Sequence, residues 1–488
     1  LKSYQVEIAI NPMADPCARA ASQYAAGDID RALKNIGRCQ KDLESKLRKY
    51  QNQPSIISQI QQQLARAYRF EGQIYFSQNN TGKAHQAFTQ ALKAVNNAGQ
   101  DKEMIGLKGQ IQYSLGIIGL MRQQNEVGIN LLKTAQESYF DADMGEQGLE
   151  VLLRLGAIYR DMGEIDTAID YFEQVQKLRK KANDKKNRRI YNGRAKLEQA
   201  KLDHQLQRGN PEKLLKNARK EFRKAKFDKG VAQVLLTLAD IHENRPDLVR
   251  EYLMEANELG QISETPEIQG VVLTKLGVLS LKSGDFEKGK NQLLEGLKYR
   301  SEAGDKLGMA QTLVELARIT LITARQDDDL DKGLTFANQA LGLYQEESHA
   351  YGQATTLELL GTINTKLGNL KVAKQQIQEG RSIYADYDDV VAEGRMLTQM
   401  GLIYGQEERP EKAITVLEKA IELFDAANNP QGKAETLHIL AMQYRESDPD
   451  QAIVLLKQSK SLYQQLIGDN QDMQIILKSI DQVIESLS

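Results

Sequence analysis

A chain of 488 residues, 41% hydrophobic and 27% charged with a formal net charge of −2, fills either several globular domains or one elongated repeat array. Its nine prolines, its lack of tryptophan and its excess of Ala, Leu, Gln, Glu and Lys point to helix throughout. No run approaches the roughly eighteen apolar residues of a membrane span, and two cysteines are too few for a disulfide framework, so the expectation is a soluble protein without such a scaffold.

In chain order, residues 1–14 form an N-terminal extension that lacks the basic-then-apolar plan of a secretory leader. Because the chain starts at Leu1 rather than methionine, upstream sequence is expected to have been trimmed, with Met13 as an alternative start. The scarcity of cysteine favours a cytoplasmic location. Cys17 and Cys39 fall on opposite helices of the first expected hairpin and read as two small buried thiols, a single bridge being the alternative.

From residue 15 to 468 one phrase recurs. Its best copy is Leu155-Gly156-Ala157-Ile158-Tyr159, then Gly163, Ala168, Phe172 and Val175. Earlier copies are Gly72, Ala84, Phe88, Ala91 and Gly116, Gly128, Leu132, Ala135. Later ones are Gly277, Gly289, Leu293, Gly296, then Gly361, Ala373, Ile377, Gly380, then Gly401, Ala413, Leu417, Ala420. In each, the second small residue follows the first by twelve positions. Weaker copies lie at 32–39, 202–218, 239–256, 317–340 and 441–459, and residues 469–488 read as a C-terminal capping helix. Each copy has apolar residues at helical spacing, a short turn such as Met162-Gly163-Glu164 and a second amphipathic stretch, so it predicts an antiparallel helical hairpin. Glycine within a helix costs about 0.5–1 kcal/mol against alanine; its recurrence at one phase implies close packing of the facing helix that offsets the loss.

These residues resemble the tetratricopeptide repeat family, whose signature is a small residue and an aromatic on the first helix and Ala…Phe/Leu…Ala on the second. The resemblance implies an all-α, right-handed superhelical solenoid of about eleven antiparallel hairpins. Gly116 to Gly156, Gly361 to Gly401 and Gly401 to Ala441 are each forty residues apart, longer than the usual thirty-four. Units of this length are similar to those of kinesin light chains, spindle-orientation adaptors, peptide-sensing bacterial regulators and the sensor arrays of bacterial signalling ATPases and caspase-like proteases. The asparagine ladder of the adaptors is missing.

The sharpest feature outside the core is charge segregation. Residues 177–229 hold twenty Lys and Arg against six Asp and Glu, a balance of +14 that leaves −16 for the rest. The cluster includes Lys180, Lys181, Lys185, Lys186, Arg188, Arg189, Arg219, Arg223 and Lys224. Focused positive potential attracts acidic protein or phosphate, whereas base stacking would ask for more aromatics than Tyr191, Phe222 and Phe227. Three chemical motifs fall short. Gly284-Asp285-Phe286-Glu287-Lys288-Gly289-Lys290 imitates a phosphate loop but continues with Asn291 and lacks a preceding strand. Asp327, Asp329 and Asp331, in the acidic insertion 325–331, have calcium-loop alternation, but Gly333 comes one place late and Asn338 replaces the bidentate glutamate. His85, His204, His242, His349 and His438 form no zinc ligand set.

Neither catalysis nor a cofactor is expected, only a protein- or peptide-binding scaffold or adaptor, such as the sensor or regulatory part of a larger signalling assembly. A nucleic-acid-binding regulator using the basic surface is the alternative. The resemblance places partner contacts on the inner face of the first helices, at Arg160, Gln199, Asp203, Gln233, Asp240, Arg318, Glu358, Thr362, Arg395, Thr398, His438 and Arg445.

Overall fold

The computed structural model describes residues 18–466 and 471–487, among which there are only helices, turns and connecting segments. The chain divides into two compact units, one running to Arg245 and the other starting at Pro246. Unit 1 contains α1 (Ala18–Ala25), α2 (Ile29–Lys49), α3 (Pro54–Ser77), α4 (Thr81–Asn96), α5 (Lys102–Met121), α6 (Asn125–Asp141), α7 (Gly145–Asp161), α8 (Ile165–Leu178), α9 (Lys185–Gln205), α10 (Pro211–Ala225) and α11 (Asp228–Ile241). Unit 2 contains α12 (Pro246–Ile262), α13 (Pro266–Lys282), α14 (Phe286–Ala303), α15 (Lys306–Thr323), α16 (Asp327–Glu346), α17 (Ala350–Lys366), α18 (Leu370–Asp386), α19 (Val390–Gln406), α20 (Pro410–Ala426), α21 (Pro430–Tyr444), α22 (Pro449–Leu466) and α23 (Gln471–Leu487).

Helices pair in sequence and each pair packs on the next: α3 with α4, α5 with α6, α7 with α8 and α9 with α10 in unit 1, and α13 with α14 through α21 with α22 in unit 2. This is an all-α solenoid of stacked hairpins. The turns follow from local chemistry. Many helices end on a left-handed residue, such as Gly163 (φ 79°), Gly284 (φ 78°) or Asp388 (φ 54°), which stops the helix and reverses the chain. The next helix is then started by a capping side chain: Asp285 accepts from the Lys288 amide, Asp389 from Ala392 and Asn429 from Gly432.

The anchor glycines meet the second helix of their own hairpin. A Cβ on Gly156 would stand 2.5 Å from the Phe172 ring, and one on Gly401 would stand 2.4 Å from Leu417. No real side chain fits there, which accounts for the repeated phase. The helix α23 lays Ile476, Leu477 and Ile480 on the last hairpin, as a cap does.

Within the expected acidic insertion 325–331, Asp327, Asp328 and Asp329 form the first turn of α16, where they complement the helix dipole. One expectation needs correction. Cys39 is buried and held in a disulfide rather than as a thiol; Cys17 lies outside the described residues, as does the extension 1–14.

Candidate partner-binding faces

The first helices of successive hairpins present a side that is not packed on their second helices, and in unit 2 this side is bonded across hairpins. Glu358 on α17 accepts from Arg395 on α19 through both oxygens, at 2.8 and 3.2 Å. Its Oε2 also accepts from the Tyr384 hydroxyl at 3.1 Å, and that hydroxyl lies 3.2 Å from Thr355 Oγ1. The bonds from Glu358 hold the Arg395 guanidinium protonated even more firmly than usual, and desolvation pushes the Tyr384 phenol up. Thr362 donates to the Glu358 carbonyl, Arg318 is exposed 3.5 Å from Glu315, and Arg445 stands exposed beyond α21.

Glu435 and His438, one turn apart on α21, behave differently. Protein surrounds both on most sides although Glu435 still reaches water; desolvation raises the Glu435 carboxyl above its ordinary range and lowers the His438 imidazole. Among the described residues neither side chain makes a hydrogen bond or ion pair. Thr398 lies beneath this surface, buried and 2.8 Å from the buried Thr436 hydroxyl, so it joins adjacent first helices.

In unit 1, Arg160 donates to Glu198 at 2.8 Å, and Gln199 accepts from Gln176 at 3.0 Å. Gln199 and Gln176 line an open cleft of about 320 Å³ with Glu173, Lys177 and Arg179. Asp203 lies 3.5 Å from Arg208, the Gln233 carbonyl accepts from Thr237, and Asp240 is exposed in the last turn of α11. Of the twelve sequence-expected residues, the direct side-chain pair that forms is Glu358 with Arg395.

Several further residues on the first helices carry no sequence expectation. Glu150 and Arg194 form a two-toothed ion pair between α7 and α9 at 2.5 and 2.9 Å. Arg154 stacks over Tyr113 with its guanidinium 5.7 Å from the ring centroid. Arg69 on α3 is half-buried, desolvation lowers its pKa, and its Nε is buried with no hydrogen-bond partner. A buried donor left unsatisfied costs about 1–3 kcal/mol.

The basic surface is partly structural. Arg188 Nε donates to the Ala182 carbonyl at 3.0 Å, Arg189 donates to the Lys224 carbonyl at 3.1 Å, and Arg179 bonds the Gln176 carbonyl. These arginines satisfy carbonyls at helix ends. Lys181 lies 5.0 Å over the Phe140 ring, and Arg219 is half-buried. Lys180, Lys185, Lys186, Arg223 and Lys224 are exposed.

The motif candidates resolve into helix chemistry. Gly284 is a turn, Asp285 is a cap, and a Cβ on Gly289 would stand 3.0 Å from the Gly277 carbonyl, so the phosphate-loop look-alike is a hairpin bend. Asp329 accepts from the Arg325 amide and pairs with Lys332 at 3.5 Å. His349 Nδ1 accepts from the Gly352 amide as the cap of α17.

Stacked hairpins with small residues at their crossings define a helical repeat protein. Residues 149–181, spanning α7 and α8, and residues 393–465, within α19 to α22, match tetratricopeptide repeat family models. The chain carries tetratricopeptide repeats. Among solved structures it is similar to a signal transduction ATPase with numerous domains bearing a tetratricopeptide repeat sensor, from Pyrococcus horikoshii: 14% identity, TM-score 0.52, over 88% of this chain and 65% of that one. The chain thus spans less than two thirds of that protein's length. It is also similar to BtubC (BKLC) from P. vanneervenii, at 16% identity and TM-score 0.39 over 50% of this chain and 93% of that one. The third is the nearly identical TPR-like repeats of a kinesin light chain from Podosopora anserina, at 13% identity and TM-score 0.34 over 40% and 94%. No curated protein matches the chain by sequence.

Proposed function

We propose that the chain is a non-catalytic scaffold that holds a segment of a partner protein along the inner sides of its first helices, as the sensor or adaptor part of a larger assembly. The observation that carries this reading is that, among the described residues, the exposed Glu435 and half-buried His438 side chains on the first helix α21 of unit 2 and the buried Arg69 Nε on α3 of unit 1 make no bond within the chain. Desolvating a polar group without pairing it is unfavourable, and such groups concentrate where a ligand completes them. The sensor repeats named for the Pyrococcus horikoshii protein agree with this role. No particular observation favours nucleic acid: Arg188 and Arg189 are engaged with backbone carbonyls, and the exposed Lys180, Lys185, Lys186, Arg223 and Lys224 suit an acidic protein as well as phosphate.

Affinity capture with the intact chain, after nuclease treatment and at about 0.5 M salt, where phosphate-dominated binding collapses, tests the reading. A partner protein is expected to persist, to be lost from the inner-face variant Gln311→Lys/Glu435→Lys and to be kept by the outer-face variant Gln375→Lys/Glu379→Lys. Loss from the outer variant alone, or loss on nuclease treatment, would overturn it.

A further inference from the structure

The turns that join one hairpin to the next share one edge of each unit, and in the two units this edge carries opposite charge. In unit 2, three consecutive turns, residues 302–307, 346–351 and 386–390, hold seven carboxylates against one lysine. They form one surface: Lys306 reaches across to Glu346 at 2.7 Å, and the Tyr351 hydroxyl donates to Asp389 at 2.8 Å. Asp305 is answered by Arg300, and Glu346 and Glu347 by Lys306, but Glu302, Asp386 and Asp388 are exposed and, among the described residues, make no ion pair. Apolar groups stand in water among them. Tyr387 is 54% exposed and Tyr351 40%, their ring centroids are 5.6 Å apart, and Leu307 and Val390 are exposed beside them. In unit 1, two consecutive turns, residues 179–186 and 223–229, hold nine Lys and Arg against Asp184 and Asp228. Arg189 ties these turns together by donating to the Lys224 carbonyl at 3.1 Å. Lys180, Lys185, Lys186, Lys224 and Lys226 are exposed and, among the described residues, without an ion pair. Several of these charges oppose the helix that carries them. Lys185 and Lys186 begin α9, whereas Glu302, Glu346 and Asp386 stand in the last turns of α14, α16 and α18; in each place the helix dipole favours the other sign. A surface of opposite charge would relieve both edges.

We propose that these edges meet between copies of the chain: the tyrosine-bearing acidic edge of unit 2 receives the lysine edge of unit 1 from a second copy. The signs match, and lysine suits the rings as well as the carboxylates, since an ammonium group is drawn to the face of an aromatic. Within the chain Lys181 already lies 5.0 Å over Phe140 and Lys374 5.7 Å over Tyr404. The net charge of −2 leaves whole copies with little mutual repulsion, so the two patches set the orientation in which they approach. Because the meeting surfaces differ, the contact is heterologous. Each copy offers one edge to each of two neighbours, and association continues from copy to copy unless it closes into a ring. The proposal uses the edges and not the inner sides of the first helices, so it stands or falls apart from the inner-face reading.

Sedimentation velocity of the nuclease-treated full chain over a range of concentrations tests this at about 0.1 M and about 1 M salt, where exposed charges reach about 10 Å and about 3 Å. The mass is expected to grow with concentration at low salt and to fall towards one copy at high salt. Two charge reversals, Lys185→Glu/Lys186→Glu and Glu302→Lys/Asp386→Lys, each bring the helix ends into agreement with the dipole, so both variants should fold, and thermal melting checks that they do. Each alone is expected to weaken association about tenfold or more. Their equimolar mixture is expected to restore it, because the first variant keeps the acidic edge and the second keeps the basic one. Tyr387→Ser should weaken the parent's association about three- to fivefold, the loss of one exposed contact between a cation and a ring. A parent that stays a single copy at every concentration in low salt would overturn the proposal, as would association that both reversals retain or that their mixture fails to restore. Association seen only without nuclease treatment would put nucleic acid on the basic edge and overturn it too.

Discussion

Glycine and threonine serve different purposes along the first helices. Gly156 leaves room for the Phe172 ring, so Gly156→Val should cost about 1–3 kcal/mol by overpacking, read as a lower urea midpoint with an unchanged slope. This much is legible in the sequence, because a helix-breaking residue recurring at one phase demands a reason. Thr398 was legible only as polar. Its burial follows from a displacement between adjacent first helices: the Thr398 hydroxyl lies three residues before Gly401, yet it meets Thr436, five residues before Ala441. Arg69 was not legible at all, since whether an acid answers a guanidinium depends on neighbouring hairpins. The perturbed inner groups of α21 give a second prediction. Desolvation raises the Glu435 pKa above its ordinary 4.5, so the folded chain holds that proton more tightly than the unfolded chain, and stability falls as pH rises from 4.5 through the folded value. Glu435→Gln should therefore be more stable than the parent at neutral pH and should lose that advantage in acid. His438 acts with the opposite sign. Its lowered pKa makes stability fall as pH drops through 6.5, and His438→Gln should remove that loss. Urea midpoints across this range check both.

At the scale of the helix, each second helix of unit 2 brings one large side chain near its end against the first helices: Arg300, Tyr344, Tyr384, Phe424 and Tyr463. Small residues make the space. A Cβ on Gly432 would stand 2.4 Å from the Phe424 ring and one on Gly394 2.9 Å, so one ring is gripped by two adjacent first helices. Arg300 takes the aromatic's place between Gly270 and Gly308, and it is fully engaged, bonding Thr274 at 3.2 Å and Asp305 at 2.5 Å. This position lay just beyond the repeating phrase visible in the sequence, which ends at Gly380 and Ala420, and so Tyr384 and Tyr139 were missed. Phe424→Ala should cost about 3–5 kcal/mol. Because hairpins of a solenoid contact only their neighbours, hydrogen exchange should accelerate most in α19 to α22 and least in α3 to α6.

At the scale of the whole molecule, periodicity conveyed one array from 15 to 468 with irregularities at 177–229 and 325–331, whereas the chain forms two compact units that divide between α11 and α12, the helices of the expected hairpin at 239–256. The repeat phrase runs through that region without a change of composition, so nothing in the pattern marks the division. The surplus of basic residues at 177–229 was legible, but its partial consumption in capping helix ends was not, since that depends on which carbonyls lie within reach. What unites the units is one use of the first helix: its packed side builds the stack, and its other side is the face proposed to receive a partner. A photo-crosslinking residue placed at Gln311 on the inner side of α15, compared with one at Gln375 on α18, tests this most directly. The inner position should capture a partner protein in nuclease-treated extract and the outer position should not; capture from Gln375 alone would contradict the assignment of the inner faces.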